Sequence, residues 1–109
     1  MAERELEYRP KQGGRRRKIV VRLGAAVFDP RRDSWRVDIQ INGPKRGQEF
    51  RSHASGVDSM GAVVAAIWLV SVCLRGILND CPGDVTFLDD PDLGFYLAPP
   101  EGYGPEQDA

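Results

Sequence analysis

The chain has one histidine and two cysteines among its 109 residues, and this scarcity removes several kinds of chemistry at once. Cys73 and Cys81 show neither C-x-x-C nor H-x-x-x-H spacing, so the sequence offers no zinc-type ligand set. On one helix, eight positions at 1.5 Å each would separate them by roughly 12 Å, which is beyond disulfide reach. The plain expectation is a buried thiol at Cys73, a loop thiol at Cys81 and a reducing cytoplasm around both. The lone His53 sits in Ser52-His53-Ala54-Ser55. Neighbours on a strand point to opposite faces, so this is not a poised nucleophile and base. Glycine is plentiful, with 12 residues, yet neither the dinucleotide-binding nor the P-loop glycine pattern occurs. Asp89, Asp90 and Asp92 cluster, but the remaining ligands of a calcium loop are missing. The expectation is a protein with no catalytic residues, no cofactor and no metal.

Two further features are absent. The opening Met-Ala-Glu-Arg-Glu-Leu-Glu-Tyr-Arg has no apolar stretch and does not read as a signal peptide. The longest apolar run, Ser59 to Leu74, is 16 residues between Asp58 and Arg75. A membrane span needs about 20, so the run is read as a core helix. What remains is one globular domain over 1–98 with a disordered tail over 99–109, rich in Pro, Gly and acids. The net charge of −1 hides a split. Residues 1–54 hold 14 Lys or Arg against 7 acids, and residues 55–109 hold Arg75 against 9 acids.

Residues 34–42, Ser-Trp-Arg-Val-Asp-Ile-Gln-Ile-Asn, alternate strictly: Trp35, Val37, Ile39 and Ile41 point one way and polar residues the other. That is a strand with one wet face, hence part of an antiparallel sheet. Weaker alternation marks strands over 3–9, 18–28 (with Gly24 as a bulge or bend) and 48–53, joined by turns at 10–17, 29–33 and 42–47. Four strands in this order form a meander. Ser55 and Asp58 have capping-box spacing, and Asp58 is the alternative N-cap. The helix should end near Leu78, before Asn79, Pro82 and Gly83. A short strand over 84–90 follows. The fold class is α+β: a four-stranded antiparallel meander, one long helix packed on it and a short C-terminal strand, β-β-β-β-α-β.

On a helical wheel, Ala62, Val63, Ala66, Ile67, Val70, Leu74, Ile77 and Cys73 form the stripe expected to meet the sheet. Gly61, Ala65, Trp68, Leu69 and Val72 lie off it and form the candidate protein interface. Four strands at about 4.8 Å give a sheet roughly 19 Å wide, while a helix is about 10 Å across. Something else must cover the rest of the inner face. The candidates are the segment carrying Leu93, Phe95, Tyr96 and Leu97, or a second chain.

The junction Gly56-Val57-Asp58-Ser59, leading into an Ala- and aliphatic-rich helix, and the later Asp92-Leu93-Gly94-Phe95 resemble a family of small bacterial proteins known as a domain of unknown function. The resemblance covers roughly 3–97 and implies the same four strands before one helix. Where that family carries a glutamine one turn into the helix, this chain has Gly61, so no side-chain role passes to that position. The expected function is a non-enzymatic protein–protein interaction module, either homodimeric through the helix or an immunity- or antitoxin-like protein that plugs a partner. The alternative is a small nucleic-acid-associated protein using the turn at 9–18. Arg9, Lys11, Arg15, Arg16, Arg17 and Lys18 there would share one end of the sheet with Lys45 and Arg46.

Overall fold

Alternating apolar residues build a sheet whose inner face is Leu6 and Tyr8, Ile19 and Val21, Val37, Ile39 and Ile41, and Ala54, all buried. A computed structural model describes residues 2–88 together with Asp90 and Leu93. The sheet contains β1 (Ala2–Pro10), β2 (Arg17–Leu23), β3 (Val27–Asp29), β4 (Ser34–Asn42) and β5 (Glu49–Gly56); helix α1 (Ser59–Asp80) and β6 (Gly83–Thr86) follow. All pairings are antiparallel. The meander runs β1–β2–β4–β5, and β6 returns beside β1 at the far edge. The α+β architecture is the expected one. The expectations that fall on Asp89, Asp92, the segment 94–98 and the tail 99–109 lie outside the described residues.

The last strand, expected over 84–90, is the four-residue β6, with Phe87 and Asp90 forming an isolated bridge after it; three other boundaries differ from the sequence expectation, each for a local reason. The strand expected over 18–28 is broken into β2 and β3, because the chain leaves regular pairing at Gly24, whose N–H still donates to the Asp38 carbonyl at 2.8 Å. Both pieces pair with the same edge of β4. The last meander strand does not stop at His53 but runs to Gly56, in unbroken register with Trp35–Asn42. Ser55 therefore belongs to the sheet, no capping box forms, and Asp58 is the N-cap, its Oδ1 accepting from Gly61 N–H at 2.6 Å. Finally, the helix does not end near Leu78 but runs to Asp80, 22 residues in all. By length and composition alone it is long and apolar enough to cross a membrane, which the 16-residue reading was not. In this fold its inner side closes the core instead: Ala62, Ala66, Val70, Leu74 and Leu78 are buried with the sheet residues.

The helix starts over β5 and ends near β1 and β6. Its C-terminal end is tied down by Tyr8, whose hydroxyl donates to the Cys81 carbonyl at 2.8 Å, with the Pro82 carbonyl sharing at 3.0 Å. Cys81, expected as a loop thiol, is the more buried of the two free cysteines, because this anchoring draws the helix end onto the sheet.

Candidate functional site

Gly56 sets how α1 lies on the sheet. A β-carbon there would overlap the Ala62 backbone nitrogen and lie 2.6 Å from the Gly61 carbonyl carbon. The last residue of β5 thus touches the first turn of the helix backbone to backbone. Only small residues fit against so close a strand, so Ala62 and Ala66, not the larger Val63 and Ile67, face the sheet. This corrects the wheel: Val63 and Ile67 were expected in the core stripe and are exposed. Of the candidate interface residues, Trp68 and Val72 are exposed, Ala65 and Leu69 pack against the core, and Gly61 is half-buried.

The solvent side of α1 therefore carries Met60, Val63, Val64, Ile67, Trp68 and Val72. They recur at three- and four-residue spacing and form one stripe over more than three turns. Met60 is 74% exposed, Val64 61% and Trp68 54%, so these are not core residues at the margin. Together they present on the order of 500 Å² of apolar surface, at the upper end of the largest patches that monomers expose, which are often functional. Ile67 and Val70 also line a hollow of about 260 Å³ with Ala2, Arg4, Val21 and Leu23, which fixes that flank of the helix towards β1 and β2. Trp68 stands two positions from buried Ala66 and Val70, and Val72 two from Val70 and Leu74, so each lies about 160° round the helix from the inner side and faces away from the sheet. Met60, Val63, Val64 and Ile67 are the residues that periodicity alone did not assign to this surface.

The basic candidates gather at the end of the sheet where β1 turns into β2 and β4 into β5. Lys18, Lys45 and Arg46 line one hollow with Asn42, Pro44 and Gln48. Gly43, at φ +100°, brings that loop against Lys18, because a β-carbon there would overlap the Lys18 carbonyl oxygen. The charge is partly spent within the sheet. Arg16 pairs with Glu7 at 2.6 Å and Lys18 with Glu5 at 3.1 Å, both exposed. Arg9 sits opposite Asp84 in the β1–β6 pairing. Lys11 N–H donates to the Pro82 carbonyl at 3.0 Å, and Arg15 and Arg17 are exposed at the turn and the start of β2. The rest of the outer face follows the same pattern, with Arg22 on Glu3, Arg36 on Asp38 and Arg51 on Glu49. His53 lies on this face opposite Asp38.

Among the described residues burial shifts two groups, Tyr8 and Cys73. Burial pushes the Tyr8 phenol above its usual value, with nearby Cys81 adding to the rise and Arg17 opposing it. Burial likewise pushes up the Cys73 thiol, which keeps it protonated and poorly nucleophilic at neutral pH. Among the described residues no group of three or more His, Cys, Asp or Glu is placed to hold a metal ion.

The fold and this surface define a small α+β domain whose most distinctive feature is an apolar helix face turned to solvent. The chain belongs to the family described as Domain of unknown function (DUF6968), whose model matches residues 2–97. No curated protein and no solved structure matches it.

Proposed function

We propose that the chain is a protein-binding module that docks through the solvent side of α1, and that the occupant of this face is a second copy of itself. The carrying observation is the contiguous stripe Met60, Val63, Val64, Ile67, Trp68 and Val72. Two such faces brought together about a two-fold axis bury roughly 1,000 Å², the threshold of a specific interface. Trp68 is the natural anchor, since a large half-exposed aromatic at the centre of a patch makes the typical hot spot. Antiparallel packing also sets the N-terminal end of each helix dipole near the C-terminal end of the other. A bacterial cytoplasm is the setting that suits two free thiols.

The test is the solution mass by light scattering, with the absorbance ratio recorded across the same peak. A dimer free of nucleic acid is expected, and Trp68→Ala should weaken it by about 2 kcal/mol, roughly thirtyfold in dissociation constant. A monomer at all concentrations overturns self-association and leaves the face to a foreign partner of the immunity or antitoxin kind. A second reading, nucleic-acid binding, is favoured by Lys18, Lys45 and Arg46 sharing one hollow. It requires nucleic acid in the peak that is lost steeply as salt rises, whereas an apolar interface holds.

A further inference from the structure

We infer that the two copies of α1 meet antiparallel about a two-fold axis at Trp68, and that Arg75 of each copy pairs with the Asp58 carboxylate of the other. This rests on the reading of α1 as a self-interface. It fixes the orientation and register of that interface and names the charges that close its two ends.

The first ground is where the charges stand. The exposed apolar stripe begins just after Asp58 and ends just before Arg75, which is the one Lys or Arg in residues 55–109. One end of the stripe is thus acidic and the other basic. A parallel pair of helices would set Asp58 against Asp58 and Arg75 against Arg75, and such like-charge contacts are costly. An antiparallel pair sets an acid against a base at both ends at once. The helix dipoles favour the same orientation.

The second ground is the spacing. Gly61, Val64, Trp68, Val72 and Arg75 are separated by three, four, four and three positions. All five fall within about 40° of Trp68 round the helix. The spacing reads the same in both directions, so a two-fold axis at Trp68 superposes it on itself. Trp68 then meets Trp68, Val64 meets Val72, and Arg75 meets Gly61.

The third ground is the cap. Gly61 N–H donates to Asp58 Oδ1 at 2.6 Å, so the carboxylate lies beside Gly61. A β-carbon on Gly61 would stand 2.9 Å from that oxygen. With glycine there, the exposed carboxylate is left open on the side from which Arg75 of the other copy arrives. Arg75 also makes a contact within its own chain, and the five N–H donors of a guanidinium serve both.

Two experiments on the full chain test this. In a Cys73→Ala background, Val64→Cys and Val72→Cys are prepared separately and mixed under mild oxidation. Both positions are exposed, so the fold is kept. The axis holds like residues about 12 Å apart, beyond disulfide reach, and brings unlike ones together. A covalent dimer is expected from the mixture and from neither protein alone. Either protein linking to itself overturns the antiparallel orientation. Val72→Cys linking to Met60→Cys in place of Val64→Cys overturns the register. The second experiment is a double-mutant cycle on dimer dissociation. Arg75→Glu should weaken the dimer roughly tenfold at low salt, and only about threefold when combined with Asp58→Asn, which keeps the cap. The two residues are roughly 25 Å apart along one helix, so coupling between them arises only across the interface, and 1 M salt should remove it. Independent effects overturn the ion pair. A dimer that fails either experiment leaves the self-interface standing, whereas a wild-type monomer overturns both readings.

Discussion

In the N-terminal half of α1 the largest residues touch water and small ones touch the sheet. Ala62, Ala66 and Val70 line the inner side of the N-terminal half, while Met60, Ile67 and Trp68 stand on the outer side. Hydrophobicity alone would turn the larger side chains inward, since burying each is worth about 1.5–3 kcal/mol. The roll of the helix is set instead by how near its backbone comes to β5. At Gly56 there is no room for a side chain on the strand. Close approach at one end fixes small residues beneath the helix, and the large ones are left on the outer side. An outer side so built leaves a contiguous apolar patch in water, which connects a packing constraint at the helix start to the proposed function.

The inner side should break the protein and the outer side only the assembly. The largest effect is expected from Gly56→Val, which puts a branched side chain into the Gly61 and Ala62 backbone. A loss of about 4 kcal/mol or more, read by chemical denaturation, would leave little folded protein. Leu74→Ala, at a fully buried position, should cost about 3 kcal/mol by the same measurement. Trp68→Ala should cost less than about 0.5 kcal/mol of monomer stability, measured at a concentration below the dimer dissociation constant. Equal losses from Leu74→Ala and Trp68→Ala in the monomer would show that Trp68 is a core residue, and the contrast between the two sides would collapse.

Much of this contrast was legible in the sequence, and what was not has a physical cause. Strict alternation over 34–42 located the central strand, and the turn residues located its neighbours, because one wet face leaves a period-two record. The greasy helix was equally plain. Its roll was not, because every side of it is apolar and a wheel has little asymmetry to read. Only the Gly56 contact, made across two elements, resolves it. Hence Trp68 and Val72, off the wheel's core stripe, are exposed, while Ala65 and Leu69, also off it, pack against the core, and Val63 and Ile67, on it, are exposed. Ser55 misled in the same way: a capping-box spacing carries no information on whether the strand before it has ended. The pairing of Arg16 and Lys18 with Glu7 and Glu5 was also hidden, since it depends on the register of β1 against β2.

The comparison can be sharpened where the inner side of α1 ends and a polar contact takes over. Past Leu78 the chain is held to the sheet by the Tyr8 hydroxyl, which donates to the Cys81 and Pro82 carbonyls. Tyr8→Phe keeps the ring and removes the donor, so it should cost about 1 kcal/mol, less than the loss at Leu74. The contact needs the neutral phenol, and burial raises the Tyr8 pKa in the folded state. The folded state therefore holds this proton more tightly than the unfolded chain, whose tyrosine titrates near 10. The resulting stability is fully present below about pH 10 and is lost as pH rises through the folded value. Denaturation curves of wild type and Tyr8→Phe should thus stay separated at neutral pH and draw together in strong alkali. A separation independent of pH would mean that the ring's packing, not its proton, anchors the helix end, and that the inner side of α1 is apolar to its last turn.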